Sequence, residues 1–83
     1  MKRILIVEDE ASVREGLLEA FSEKGYEAAG AATGEEAERL FSAGGWDLCI
    51  LDVRLPDMSG FEVCRRLREK SSVPILFLTA FSD

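Results

Sequence analysis

Four short apolar runs, separated by stretches with helical spacing, constrain the fold of this 83-residue chain more than any other feature. The runs cover residues 3–7, 26–32, 47–51 and 73–78, and the second is the weakest because it is largely alanine. Continuous apolar runs of this length are typical of strands covered on both faces of a parallel sheet. The spacing between them predicts helices over residues 11–24, from Thr33 to the glycine pair at Gly44, and from Ser59 to near Lys70.

The predicted helices have recognisable starts and apolar faces. Thr33 with Glu36, and Ser59 with Glu62, have the spacing of a capping box, in which each side chain accepts a hydrogen bond from a backbone N–H of the first helical turn. The residues predicted to face the core are Val13, Leu17, Leu18 and Phe21 on the first helix, Ala37, Leu40 and Phe41 on the second, and Phe61, Cys64 and Leu67 on the third.

The resulting order, β-α-β-α-β-α-β, predicts an α/β fold with a doubly wound parallel sheet. Right-handed crossovers place the first helix on one face of the sheet and the second and third helices on the other. In such sheets, ligands bind beyond the C-terminal ends of the strands, where the strand order reverses. Functional side chains are therefore expected at the ends of the apolar runs.

Composition excludes several functional classes. The net charge of −6 and pI near 4.6 argue against direct contact with nucleic acid and favour a cation or a basic partner surface. The chain contains no histidine, which excludes His-ligated zinc and Ser-His or Cys-His nucleophile pairs within it. No signal peptide or membrane-spanning run is expected, and Cys49 and Cys64 are predicted to be buried thiols in a reducing cytoplasm.

Acidic residues follow the first and third runs, and a hydroxyl follows the fourth. Glu8 and Asp9 end the first run, Asp52 ends the third and Thr79 ends the fourth. Taken singly, these residues are ordinary helix starts, turn caps or strand ends. Together they predict a pocket of three carboxylates, whose mutual repulsion a hard divalent cation such as Mg²⁺ relieves. Asp52 then has the chemistry of a nucleophile toward phosphorus, with Thr79 as a hydroxyl donor.

Three segments of the sequence closely resemble the receiver domain of bacterial two-component response regulators. The resemblance extends over the whole chain and is carried by residues 4–10, 47–60 and 73–80. It implies a flavodoxin-like doubly wound sheet with the family strand order 2-1-3-4-5. The domain is then expected to be a signalling module and not an enzyme, beyond Mg²⁺-dependent self-phosphorylation and self-dephosphorylation.

The resemblance also implies a role for each site residue. Asp52 accepts a phosphoryl group from a histidine of a sensor histidine kinase and relays the signal by conformational change. Glu8, Asp9 and Asp52 ligate Mg²⁺, and the backbone carbonyl of Arg54 is a further ligand. Thr79 contacts the phosphoryl oxygen and acts as a switch.

The sequence departs from the family pattern after its fourth strand. Receiver domains continue with a helix, a strand that ends in a phosphoryl-binding lysine, and a last helix, but no lysine follows Lys70 here. Residues 1–83 are accordingly expected to be the N-terminal portion of a receiver domain, with no output domain and with weak or no phosphorylation. The apolar edge at residues 73–79 predicts self-association, by edge pairing or by exchange of elements.

Three alternative functions compete with that of a phosphorylated receiver domain. An aspartate-nucleophile phosphatase would carry a second aspartate two positions after Asp52, where this chain has Arg54. A dinucleotide-binding half-domain needs a glycine-rich turn after the first strand, where residues 8–10 are acidic. A receiver-like interaction or dimerisation module that works without phosphorylation remains the main alternative.

Overall fold

A computed structural model of the chain describes residues 1–78, in which four parallel strands alternate with three helices. The elements in chain order are β1 (Arg3–Val7), α1 (Ala11–Glu23), β2 (Glu27–Ala31), α2 (Gly34–Ser42), β3 (Leu48–Asp52), α3 (Gly60–Arg68) and β4 (Ile75–Leu78). The sheet order is β2-β1-β3-β4, and every pairing is parallel. This is the order of the first four strands of a flavodoxin-like sheet, and it confirms the predicted fold class.

The strands of the sheet centre are buried on both faces. On one face, the isoleucines of β1 and β3 pack against α1, with Leu17, Leu18 and Phe21 partly buried over Ile4, Ile6 and Ile50. On the other face, α2 and α3 cover a larger cluster that contains Leu5, Val7, Ala37, Phe41, Leu51, Val63 and Leu67. One helix on one face and two on the other is the arrangement that right-handed crossovers predict.

The two edges of the sheet differ in their apolar content. Within residues 1–78, β2 forms one edge with small side chains and β4 forms the other. β4 carries two large apolar residues in contact with solvent, Leu76 at 57% exposure and Phe77 at 39%. No helix in the described part of the chain is both long and apolar enough to cross a membrane.

The predicted apolar faces of two helices need correction. Val13 of α1 is exposed, and Phe61 of α3 is 60% exposed, whereas Val63 and Leu67 are fully buried. The buried face of α3 begins at Gly60, because this residue packs against the backbone of β3. Phe61 therefore points away from the core, and its ring lies 5.0 Å from that of Phe77.

Both predicted capping boxes are formed in part. The Thr33 and Ser59 hydroxyls each accept a hydrogen bond from the backbone N–H of the glutamate three residues on. The reciprocal bonds differ from the prediction. The Glu36 carboxylate accepts from the N–H of Ala32 instead of Thr33, and the Glu62 carboxylate pairs with two arginines of α3.

The two cysteines are free thiols, as the sequence predicts. Cys49 is fully buried in β3, and Cys64 is partly buried in α3. Burial raises the pKa of the Cys49 thiol to about 12, so that this thiol stays protonated at neutral pH.

Candidate functional site

The parallel register of β1 and β3 brings the predicted acidic residues together. Val7 pairs with Leu51, so Glu8, directly after β1, and Asp52, the last residue of β3, lie side by side. Carboxylate oxygens of Glu8, Asp9 and Asp52 all lie within 4.8 Å of one another. The expected cluster is thus present at the C-terminal ends of two adjacent central strands, where doubly wound sheets bind ligands.

Glu8 is the buried member of the cluster, at 5% exposure. Its carboxylate accepts one hydrogen bond, from the backbone N–H of Glu10 at 3.0 Å. Burial raises the pKa of the Glu8 carboxyl above its usual value, the Glu10 N–H opposes this rise, and the negative charge of Asp52 adds to it. A buried carboxylate beside two further acids is costly unless a cation neutralises it. The donor set contains only oxygen, which suits a hard divalent ion such as Mg²⁺.

Asp52 is half-buried at the end of β3, and the following loop is held close to it. Its Oδ1 accepts a hydrogen bond from the backbone N–H of Arg54 at 3.2 Å. An isolated antiparallel bridge between Arg54 and Ser59 closes this loop directly before α3. The backbone of Arg54, a predicted ligand position, therefore lies next to the Asp52 carboxylate.

Gly60 is a site-supporting residue that the sequence did not indicate beyond its place at a helix start. Its N–H donates to the Val53 carbonyl at 2.7 Å. A Cβ at this position would overlap the carbonyl oxygen of Asp52 and approach the Cα of Val53 to 2.9 Å. The close approach of α3 to the end of β3 thus requires glycine, and it fixes the backbone that carries Asp52.

Two charged residues near the site were also missed. Arg14 of α1 donates to the backbone carbonyl of Glu8 at 2.8 Å. The carboxylate of Asp57, in the loop after β3, accepts from the N–H groups of Gly34 at 2.8 Å and Glu35 at 2.9 Å. Acidic residues are generally favoured at helix N-termini, and this is the sequence signal closest to the role of Asp57. The signal could not identify the contact, because Asp57 and the start of α2 are far apart in the chain.

Thr79 lies outside the described residues, so its predicted contact with a phosphoryl group stays a prediction. The three acidic side chains and the Arg54 backbone are the predicted site positions that lie within the described part of the chain.

Comparison with known proteins gives a consistent result. The family described as "Response regulator receiver domain" matches residues 4–83. Over 99% of this chain, a probable transcriptional regulator, ycf27 of Cyanophora paradoxa, is 45% identical. The regulatory protein AfsQ1 of Streptomyces coelicolor is 41% identical over the whole chain. This chain spans 34% and 37% of those two relatives, about a third of their length.

Solved structures agree with the sequence matches. The response regulator TrrA of Thermotoga maritima, in complex with Mg²⁺-BeF, superposes with a TM-score of 0.91 at 48% identity, over 99% of this chain and 72% of that one. A complex of the histidine kinase ThkA with TrrA gives the same TM-score and identity, over 100% and 72% of the two chains. The match to the family covers nearly all of the sequence, and the strand order agrees with it. The chain therefore belongs to the response regulator receiver domain family.

Proposed function

We propose that this chain is the receiver module of a phosphorelay, in which Asp52 accepts a phosphoryl group from a histidine of a sensor kinase. The observation that carries the proposal is the convergence of Glu8, Asp9 and Asp52 within 4.8 Å at the ligand-binding edge of the sheet. Two similar proteins support it, since TrrA was solved with Mg²⁺-BeF and also in complex with a histidine kinase. The cytoplasm is the proposed location, and the acidic net charge favours a protein partner over nucleic acid.

In the proposed site, Glu8, Asp9 and Asp52 would hold Mg²⁺ together with the backbone carbonyl of Arg54. When bound, the ion offsets the negative charge that the carboxylates and an incoming phosphoryl group share. The chain itself supplies the nucleophile. An Asp52 oxygen forms the new bond to phosphorus, while the bond from phosphorus to the donor nitrogen breaks and the donor imidazole leaves.

Two contacts prepare this chain for the transfer. The N–H of Arg54 orients the Asp52 carboxylate, and Gly60 fixes the backbone behind it. Thr79 is the proposed hydroxyl donor to the phosphoryl group and the residue that couples it to a change of surface. The chain thus acts as a signalling module whose only chemistry is its own Mg²⁺-dependent phosphorylation and dephosphorylation.

Intact-mass measurement after incubation with a small phosphoramidate tests this function. With Mg²⁺, we expect only a small fraction of the wild-type chain to gain the mass of one phosphoryl group, because the sequence predicts weak phosphorylation. The same spectra measure that fraction. Asp52→Asn and removal of Mg²⁺ should each abolish the gain. Asp47→Asn is the matched control, because Asp47 precedes the same strand at its opposite end, where it accepts the N–H of Arg3. Modification that persists in Asp52→Asn, or that forms equally well without Mg²⁺, would overturn the proposal.

A second candidate function is self-association that needs no phosphorylation. It is favoured by the apolar edge of the sheet, where Leu76 and Phe77 of β4 and the adjoining Phe61 are exposed. Unprotected apolar edges pair readily with other strands. A second copy of this chain offers the same edge, so a symmetric pairing of two β4 strands is the proposed arrangement.

A further inference from the structure

The side chain of Arg14 connects α1 to the turn that carries two of the three acidic residues. Its Nη1 atom donates to the carbonyl of Glu8 at 2.8 Å, and the carbonyl of Asp9 lies 3.5 Å from the same nitrogen. The first contact is a good hydrogen bond, and the second is at the limit of one. Arg14 thereby holds the backbone of Glu8 and lies within reach of the backbone of Asp9.

Space for this side chain is provided by a glycine in β2. A Cβ at Gly30 would lie 3.1 Å from Cδ of Arg14 and 3.2 Å from its Cγ. These separations are shorter than ordinary carbon contacts, so any larger residue would press on the aliphatic stem of Arg14. Glycine within a strand weakens the strand and commonly marks a close approach of another group. The close neighbours here are the arginine stem and Cδ1 of Leu18, which would lie 3.2 Å from such a Cβ.

The electrostatics of the turn favour an arginine at this position. Glu8 and Asp9 are adjacent acids that share the cluster with Asp52, so in the absence of a cation their carboxylates repel one another. Holding their carbonyls restricts how far the turn can open under this repulsion. The guanidinium presents several donors in a fixed plane.

We propose that Arg14 is a positioning residue that sets the spacing of Glu8 and Asp9 for a small divalent cation. This inference rests on the proposed function and adds a residue and a selectivity to its metal site. Mg²⁺ requires near-ideal octahedral geometry, whereas Ca²⁺ accepts longer and more variable distances. A turn held at the right spacing therefore benefits Mg²⁺ more than Ca²⁺.

Calorimetric titration of the chain with Mg²⁺ and with Ca²⁺ tests the proposal. Arg14→Met keeps the aliphatic stem over Gly30 and removes the donors, and we expect it to weaken Mg²⁺ binding about tenfold, in the range typical of residues that orient metal ligands. Ca²⁺ binding should weaken clearly less, so that the ratio of the two dissociation constants changes. Arg14→Lys, which keeps the charge and a single donor group, should fall between the wild type and Arg14→Met.

Two further variants separate positioning from general destabilisation. Arg39→Met on α2 is the matched control, since the Arg39 side chain is 70% exposed and pairs only weakly, at 3.7 Å, with Glu36; it should leave both metal affinities unchanged. Gly30→Ala keeps every charge and donor but presses on the Arg14 stem and on Leu18. It should shift the ratio of affinities in the same direction, by less than Arg14→Met. Unfolding midpoints in a chelator report the stability of each metal-free variant.

Each outcome of the titrations decides a particular claim. Unchanged Mg²⁺ affinity in Arg14→Met, or equal loss for both ions, would overturn the positioning role and leave the proposed function standing. Loss of Mg²⁺ affinity only in variants that are also unfolded without metal would likewise overturn it. If the wild-type chain binds no Mg²⁺, or if Asp52→Asn binds it as well as the wild type, the metal site itself fails, and the fault then lies in the proposed function.

Discussion

The Asp57 carboxylate belongs to the loop that follows Asp52, yet it serves a helix elsewhere in the fold. Its two oxygens accept the N–H groups of Gly34 and Glu35 at the start of α2. These N–H groups are among those that an α-helix leaves unpaired at its first turn, and a negative charge there is favourable. The loop between β3 and α3 is thereby tied to α2 next to the candidate site.

We predict that Asp57→Ala destabilises the chain by about 0.5 kcal/mol, the low end for a lost helix cap, because Asp57 is exposed and solvent screens its charge. Asp57→Asn keeps an acceptor and should cost less. Urea unfolding followed by the fluorescence of Trp46 measures both. A loss in Asp57→Asn equal to that in Asp57→Ala would show that charge, and not the hydrogen bonds, is the main contribution.

The loss of stability caused by Asp57→Ala is expected to depend on pH. The N–H of Gly34 is the main cause that lowers the pKa of Asp57 below its ordinary value of 3.8, and the N–H of Glu35 contributes in the same direction. A lowered folded-state pKa means that the stabilisation is complete above pH 3.8 and is lost as the pH falls through the folded value. The stability difference between wild type and Asp57→Ala should be constant from neutral pH down to this region and then shrink.

At the scale of elements, the site depends on how closely α3 approaches the end of β3. Gly60 begins α3 and packs against the backbone of Asp52 and Val53. Its φ is not in the left-handed region, so the requirement for glycine here is one of space and not of backbone conformation. The helix that follows buries Val63 and Leu67, and it joins α2 through the contact of Arg66 with Glu38 at 3.0 Å.

We predict that Gly60→Ala destabilises the chain by about 2 kcal/mol, as expected for an added methyl group that forces backbone apart. It should also weaken metal binding, because the Asp52 carbonyl must move. The matched control is Gly16→Ala in α1, where a Cβ meets nothing within 4 Å. That control should stabilise the helix by up to about 1 kcal/mol, since alanine is the better helix former. The denaturant midpoints of both variants measure these effects. A similar loss of stability in the two variants would contradict this account of Gly60.

At the scale of the whole molecule, the described residues form a sheet with unequal cover. α2 and α3 together cover one face, over the buried cluster that includes Ala31 and Leu67. On the other face, α1 alone covers the buried isoleucines. Leu76 of β4 pairs in register with the buried Ile50 but is itself 57% exposed. An exposed apolar strand at a sheet edge favours association with other chains.

We therefore predict that the chain sediments as a species larger than a monomer at tens of micromolar. Leu76→Lys places a charge on the edge strand and should shift the population to monomer, because lysine opposes edge pairing. Val13→Lys is the control, since Val13 is an exposed apolar residue of α1 and not of the β4 edge. Sedimentation velocity of the three proteins measures the effect, and a wild-type monomer under these conditions would contradict the prediction.

The sequence by itself determined the fold class, the strand and helix order and the acidic cluster. It could do so because apolar periodicity reports local structure, and parallel strands with right-handed crossovers leave few ways to arrange such elements. Glu8, Asp9 and Asp52 could be placed together because each ends a strand or follows one within two residues, and all C-terminal strand ends meet at one edge of the sheet.

Tertiary structure alone decided the contacts that support this cluster. Arg14 reaches the Glu8 carbonyl with its stem close to Gly30 of β2, and Asp57 caps a helix that precedes it by more than twenty residues. Spacing along the chain carries no signal for such contacts, because they depend on how two elements pack. The buried face of α3 likewise depends on the close packing of Gly60 against β3. The apolar character of Phe61 did not predict that face, because the Phe61 side chain is exposed. Local patterns thus predict which carboxylates meet, and packing determines how firmly they are held.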